Sequence, residues 1–246
     1  LLASEDRRSV LLVLQGMDAS GKDGVVRALC GALNPMILRM ASFGVPMLPH
    51  VVAGSAVVYI DRLVVSSILG AQSLGIYMVS MQIGMVLIAL IEPLNKALAP
   101  WLFAQLAKDD PTIRRRIVQR TYQLYGALAL VGMALTLIAH IFFDQLIGPG
   151  FRDARPLIPW MIGGFLLQGM YYSVVNYLFY AERTGRLSVV SGTTAVVGLG
   201  MSYVLTSTWG LLGAAVSFAT NNALLFGLVW VVASQSVAMP WSLRRP

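Results

Sequence analysis

Two groups of residues carry chemistry that their surroundings do not account for. Asp61 and Arg62 stand side by side in VVYIDRLVVSSILGAQSLGIY, residues 57–77, an otherwise apolar run that ends in a small-residue corner. Within a membrane a central Asp or Arg costs roughly 2.5 to 3.5 kcal/mol, so such residues face a bundle interior or a wet cavity. Neighbours on a helix point about 100° apart, and the two cannot satisfy each other alone. The expectation is that they line a cavity, with a buried structural ion network as the alternative. The second group is Gly16, Asp18, Gly21, Lys22 and Asp23 in GMDASGKD. In a GxxxxGK loop the glycines let backbone N–H groups turn toward a phosphate, the following helix adds positive potential, and the lysine adds a full charge. Asp23 stands where Ser or Thr reaches magnesium in the usual form.

The two groups belong to different kinds of chain. The apolar run SVLLVLQ at 9–15 reads as a buried strand, the loop follows, and 24–33 reads as a helix. After about residue 42 the sequence becomes a series of long apolar segments. With 57% apolar and 12% charged residues and a mean hydropathy of +0.72, the chain is far more apolar than a soluble domain, where about a quarter of residues are charged. The net charge of +7 arises from short clusters between apolar runs, which argues for loops that fix membrane orientation and against a nucleic-acid face. The single cysteine, Cys30, excludes an internal disulfide. His50 and His140 lack ligand spacing, so no metal site is expected. No signal peptide is expected, and a start at Leu1 is read as a mark of a fragment.

Six spans are expected, since a hydrocarbon core of about 30 Å takes about 20 helical residues. They run over about 44–69, 74–98, 122–143, 157–180, 187–205 and 211–234. Arg114, Arg115, Arg116 and Arg120, then Arg183 and Arg186, then Arg244 and Arg245 fall on alternate connections, all on one side. The positive-inside rule puts that side, and both termini, in the cytoplasm. At 1.5 Å per residue, Gln82, Gln168, Asn221 and Asn222 lie within about one turn of the level of Asp61 and Arg62. These four amides are weighed as interhelical hydrogen-bonding groups against cavity-lining ones. Glu92 and Lys96, four apart, form a charged pair at the inner rim. Tyr171, Tyr172, Tyr177 and Tyr180 read as packing and interface residues in preference to a sugar-stacking platform.

LLVLQGMDASGKDG with LNP at 33–35 resembles the polyphosphate kinase 2 family over about residues 8–36. There the aspartate form of the loop is usual, and Asp18 matches an acidic active-site position. The family's downstream Asp-Arg-Ser-Trp-Tyr-Asn-Arg type motif is absent. FGVPMLPH at 43–50, DRLVVSSILGAQSLGIYMVSMQIG at 61–84, APWLF at 99–103 and GLLGAAVSF at 210–218 resemble the second half of polysaccharide biosynthesis exporters, the O-antigen and lipid-linked oligosaccharide flippases of the MOP superfamily. This resemblance covers about residues 42–238 and implies one six-helix lobe of a two-lobed transporter with alternating access. It further implies Arg62 as a group for the pyrophosphate of an undecaprenyl-linked saccharide.

The fold class expected is therefore all-α integral membrane, one six-helix lobe (41–238) preceded by a strand, P-loop and helix (1–40) and followed by a basic cytoplasmic tail (239–246). The function expected is export of a lipid-linked saccharide across a bacterial inner membrane, without enzymatic chemistry or a resident cofactor. The implied partners are membrane lipid and a missing first lobe or a second copy, with no nucleic acid. The alternatives are a polyphosphate-dependent nucleotide kinase segment on a membrane anchor, with nucleotide or polyphosphate and magnesium at the loop, and a non-functional fusion of the two pieces.

Overall fold

The structure, a computed structural model, describes the backbone of residues 34–242 and the side chains from Gly44 onward except 56–58, 146 and 149. The strand and phosphate loop expected over 9–33, with Gly16, Asp18, Gly21, Lys22 and Asp23, lie outside the described residues. Two compact units divide the chain, Leu1–Leu48 and Pro49–Pro246. In the first, residues 34–48 are helical. The described residues contain no strand.

The helices are α1 (Asn34–Leu106), α2 (Pro111–Ile141), the short α3 (Phe143–Leu146), a 3-10 segment (Pro149–Leu157), α4 (Ile158–Tyr180) and α5 (Thr184–Ser236). Two of them are broken by glycine. Gly70 in α1 has φ 84 and ψ 173, and Gly210 in α5 has φ 60 and ψ −139. A side chain with a Cβ is strongly disfavoured at both, so glycine sets where the chain folds back. These breaks fall at the corners expected near 70–73 and 206–210.

By length and composition, three helices suffice to cross a membrane: Gly44–Leu106, Pro111–Ile141 and Thr184–Ser236. The sequence suggested six segments. Two of the three candidates each contain a pair of those segments either side of a glycine break, which accounts for most of the difference. The segment expected at 157–180 is a helix, α4, yet it falls short on hydropathy because Gln168, Asn176, four tyrosines and three glycines dilute its apolar residues.

The ends of the helices follow from local chemistry. Asp110 caps α2: its carboxylate accepts from the backbone N–H of Thr112 at 2.7 Å and from the Thr112 hydroxyl at 2.8 Å, and Pro111 supplies a preset φ in the first turn. The Thr112 hydroxyl, then its N–H, hold the Asp110 carboxyl below the usual range. The cap is therefore fully formed above the unfolded value of about 3.9 and is lost as pH falls through the lower folded value. At the same end of the bundle, where Ile117 of α2 packs with Tyr177 and Leu178, α4 closes in a Schellman motif formed by backbone N–H groups. Glu182, at φ 53, donates to Phe179 O at 3.1 Å, and Arg183 donates to Leu178 O at 2.9 Å.

Helix α4 is the centre of the packing. About half of it is buried, on more than one face, with α5 packed along it and α1 against it at Phe165 and Gly169. Small residues admit large ones along it. A Cβ on Gly164 would lie within 2.6 Å of the Phe218 ring and 3.2 Å from Ala219 Cα, whereas one on Gly163 would meet nothing within 4 Å. The chain end is docked too: Tyr122 donates to Trp241 O at 3.0 Å, Arg114 donates to Ala238 O at 2.9 Å, and the Trp241 ring lies 4.6 Å from that of Trp230.

Gly164→Ala is expected to destabilise the detergent-solubilised protein by about 1–3 kcal/mol through overpacking. Gly163→Ala should be neutral or stabilising by up to about 1 kcal/mol through helix propensity. Thermal unfolding of the two variants side by side checks this, and equal melting points would contradict the packing of α4 on α5.

Candidate functional site

The charged pair sits where α1 meets α5. Thr184, Ser188, Ser191, Thr194, Gly198, Ser202 and Thr206 are all buried on α5 at spacings of three or four, so one face of that helix is a stripe of small and mostly polar residues. Small residues let helices approach closely, and their hydroxyls bond across the interface. His50 Nδ1 meets Ser191 Oγ at 2.6 Å. Asp61 lies against Ser202, whose hydroxyl is in reach of the carboxylate but outside strict hydrogen-bond geometry. The same number of residues separates the two contacts on each helix, so the segments run parallel and in register over about 16 Å.

Asp61 is 7% exposed. Tyr77, fully buried, lies within electrostatic reach of both Asp61 and Arg62. Arg62 turns the other way, with Nη2 3.9 Å from Met81 Sδ, and no carboxylate among the described residues forms an ion pair with it. Arg62 Nε, Tyr77 OH, Ser202 Oγ, Thr206 Oγ1 and Asn221 Oδ1 are buried without a hydrogen-bond partner. Asn221 belongs to this seam because its amide fills the space beside Gly198, one turn from Ser202. Buried polar groups are nearly always partnered, so the seam holds an unusual amount of unspent hydrogen-bonding capacity around one cation and one carboxylate.

The other expected residues go elsewhere. Asn222 donates to Phe218 O in its own helix at 2.9 Å. Gln82 is exposed, on the outside of α1. Glu92 and Lys96 form their pair at 2.6 Å, but the side chains are 46% and 73% exposed, so the pair contributes only about 0.3–0.5 kcal/mol. Gln168 donates to Tyr172 OH at 3.4 Å.

Gln168, Glu92 and Lys96 line one cavity, of about 420 Å³, together with His50, Asn95, Tyr171 and Tyr172. A second cavity of about 430 Å³ lies between α1, α2 and α4, lined by leucines, Trp101, Arg120 and Asn176. Asn95 lines both, and accepts from Asn176 Nδ2 at 2.9 Å. Neither cavity is lined by Asp61 or Arg62. His50 is a residue that sequence reasoning passed over. Its Nε2 meets Tyr171 OH at 3.2 Å, so both ring nitrogens hold hydroxyls from different helices. Spacing along the chain offers no signal for this, but a histidine in an apolar span is a signal in itself. Among the described residues no cluster could hold a metal ion.

Comparison with known proteins finds two families, whose matches overlap over residues 30–54. The family described as Polysaccharide biosynthesis protein matches residues 30–156, just over half of the chain. The family described as Polyphosphate kinase 2 matches residues 2–54. The amylovoran biosynthesis protein AmsL of Erwinia amylovora is 25% identical over 150 residues, which is 61% of this chain and 38% of that protein. An uncharacterised membrane protein of Haemophilus influenzae is 29% identical over 164 residues, 65% of this chain and 39% of that protein. An AMP/ADP-polyphosphate phosphotransferase of Meiothermus ruber is 54% identical over 46 residues, 19% of this chain and 17% of that enzyme. The chain thus spans less than two-fifths of the membrane relatives and about a sixth of the phosphotransferase. No solved structure matches.

A double-mutant cycle tests the amide pair that separates the cavities. Asn176→Leu leaves the buried side of Asn95 without its donor and should cost about 1–3 kcal/mol. Asn95→Leu with Asn176→Leu should cost less than the sum, with a coupling of about 0.6 and at most about 1.7 kcal/mol. Additive losses in thermal unfolding would show that the bond contributes nothing.

Proposed function

The chain belongs to the polysaccharide biosynthesis protein family, and from that premise we propose that it is one lobe of an exporter that flips a lipid-linked saccharide across a bacterial inner membrane. The observation that carries this reading is Arg62, a cation with no ion-paired carboxylate among the described residues, on an apolar helix beside buried polar groups that lack partners. Flipping involves no covalent chemistry. It requires a place where an anionic head group exchanges water for protein donors, and the guanidinium offers a fork that matches phosphate oxygens.

The proposed topology has six spans: the two segments of α1 either side of Gly70, α2, α4, and the two segments of α5 either side of Gly210. It follows that α4 crosses within the bundle, where its tyrosines and amides meet protein rather than lipid. Both termini lie in the cytoplasm, with Arg114, Arg115, Arg116 and Arg120 on that side. One lobe does not alternate by itself. Rocking requires a second repeat, supplied by a first lobe or by a second copy of the chain. Asp61 and Arg62 then belong to the wall that the opposite lobe completes.

Coexpressed with the first lobe of a full-length relative, the chain should support appearance of glycolipid in the outer leaflet. Arg62→Ala should reduce that at least tenfold, and Arg62→Lys should keep part of it. Undiminished export by Arg62→Ala, with the protein still in the membrane, would remove the arginine from the mechanism.

A second reading concerns the first residues and is favoured by the match to polyphosphate kinase 2 over 2–54. We propose that the loop with Lys22 binds a phosphate chain and does not transfer it, because transfer requires further metal-holding and cationic groups and the family's downstream motif is absent from the sequence. Polyphosphate binding by the purified chain should disappear in Lys22→Ala, with no nucleotide product formed by either protein. Equal binding by the variant would eliminate the loop as a phosphate site.

A further inference from the structure

We infer that the cavity between α1 and α4 is a saccharide site that reads an uncharged sugar ring, separate from the seam around Arg62; the inference rests on the export reading and assigns the sugar part of its substrate. The cavity, about 420 Å³, falls within the range of about 300–1,000 Å³ typical of small-molecule sites. Its polar lining is mixed. Lys96 is a donor, Glu92 an acceptor, the amides of Asn95 and Gln168 are both, and the Tyr172 hydroxyl is both. Tyr172 is only half-buried, and its ring is 5.8 Å from that of Tyr171, so a flat apolar surface stands beside these groups.

The balance of charge selects the ligand. The one full positive charge lining the cavity, Lys96, is held 2.6 Å from Glu92, so the two cancel. A phosphate or carboxylate placed here would meet Glu92, which also lies within electrostatic reach of Tyr172. A metal ion finds no adequate cluster among the described residues. A purely apolar ligand would bury the amides and the tyrosine hydroxyl without partners, at a desolvation penalty. A neutral ring carrying several hydroxyls satisfies all of these conditions: it donates to Glu92 and Gln168, accepts from Asn95 and Lys96, and lays its C–H face on Tyr172.

His50 serves this site as a positioning residue. With one ring nitrogen on Ser191 and the other on Tyr171, it ties the inner wall of the cavity to α5 and orients Tyr171 beside Tyr172. Along α1 the level of His50 is about 16 Å from that of Asp61. A lipid-linked saccharide is likewise divided, with charge at its pyrophosphate and none on neutral sugars further out. The same division predicts discrimination: a saccharide with acidic rings finds no unpaired cation in the cavity, because Glu92 holds Lys96.

The test uses the whole chain in a detergent without a sugar head group. Maltotriose, mannotriose and galactotriose are offered as neutral probes and trigalacturonate as the acidic one, with binding read by calorimetry or saturation-transfer NMR. At least one neutral trisaccharide should bind, and the acidic one at least tenfold more weakly. Gln168→Leu and Tyr172→Ala should each weaken neutral binding at least tenfold, with melting points checked for folding, and Tyr172→Phe, which keeps the ring, should retain more binding than Tyr172→Ala. Glu92→Gln should narrow the discrimination against the acidic sugar. No binding of any neutral probe, equal or tighter binding of the acidic one, or unchanged binding in folded Gln168→Leu and Tyr172→Ala would each overturn the site. Glycolipid export separates the two ideas. Export that depends on Arg62 with no trisaccharide binding overturns the sugar site alone, and trisaccharide binding with export indifferent to Arg62→Ala overturns the arginine's role and leaves the sugar site standing.

Discussion

The constraint on which this structure depends is the cost of holding polar groups away from water. The backbone meets it by remaining helical over almost all of residues 34–242, because a helix satisfies its own N–H and C=O groups. The side chains meet it only in part. Along α5 Thr194 donates to Val190 O at 2.9 Å, and Ser191 meets His50 on another helix. At the level of Asp61 that pattern stops. Ser202, Thr206, Tyr77 and Asn221 contribute polar atoms with no partner, and they do so around the adjacent pair of opposite charges at Asp61 and Arg62. A purely structural ion network would give Arg62 a carboxylate from elsewhere in the bundle, and no ion pair among the described residues includes it.

Around that seam, packing follows a rule of small against large with α4 in the middle. Gly84 on α1 faces Phe165, Gly169 on α4 faces Ile91, and Gly164 faces Phe218. Each pair lets a bulky side chain of one helix enter the space that a missing side chain leaves on its neighbour, which is how helices without a hydrophobic drive between them gain dispersion contacts. The same arrangement forces α4 to present its polar residues inward. Asn176 is 5% exposed and reaches Asn95, and Tyr125 on α2 meets Ser173 at 2.8 Å. The polar residues of α4 and its central position are two aspects of one fact.

What the sequence makes legible is what local pattern encodes. The breaks at Gly70 and Gly210 fall between expected segments and the apolar lengths mark the helices, but α2 begins at Pro111, before the segment expected from 122, because polar and arginine-rich residues can extend a helix beyond its apolar part. Asp61 and Arg62 are conspicuous because their chemistry contrasts with their immediate neighbours. The contacts that shape the two cavities are not encoded locally: His50 to Ser191, His50 to Tyr171 and Asn176 to Asn95 join residues 141, 121 and 81 positions apart. Depth along a helix can be counted, but the face cannot, since a rotation of about 100° per residue turns a small error in phase into the wrong side. That is why Gln82, at the right depth, is on the outside of α1, and why Asn222 bonds to its own helix while Asn221, its neighbour, enters the seam.

Gln82 also bears on what covers the outer face. It follows Met81, the neighbour of Arg62, on a helix whose exposed side carries Met85, Val86 and Leu90 at 45%, 49% and 62%. Apolar side chains so exposed are ordinary where a helix faces lipid. An amide among them is not, because in hydrocarbon its donors and acceptors would have no partner. A face that holds both suits a partner which is mostly apolar and locally polar at the level of the charged pair, the description of a second helical lobe rather than of lipid tails. On the export reading this makes the exposed Gln82 and the buried Asp61–Arg62 seam two sides of one requirement. On that reading an opposite wall would supply the partners left open by the exposed amide of Gln82, on the segment after Gly70, and by the seam on the segment before it.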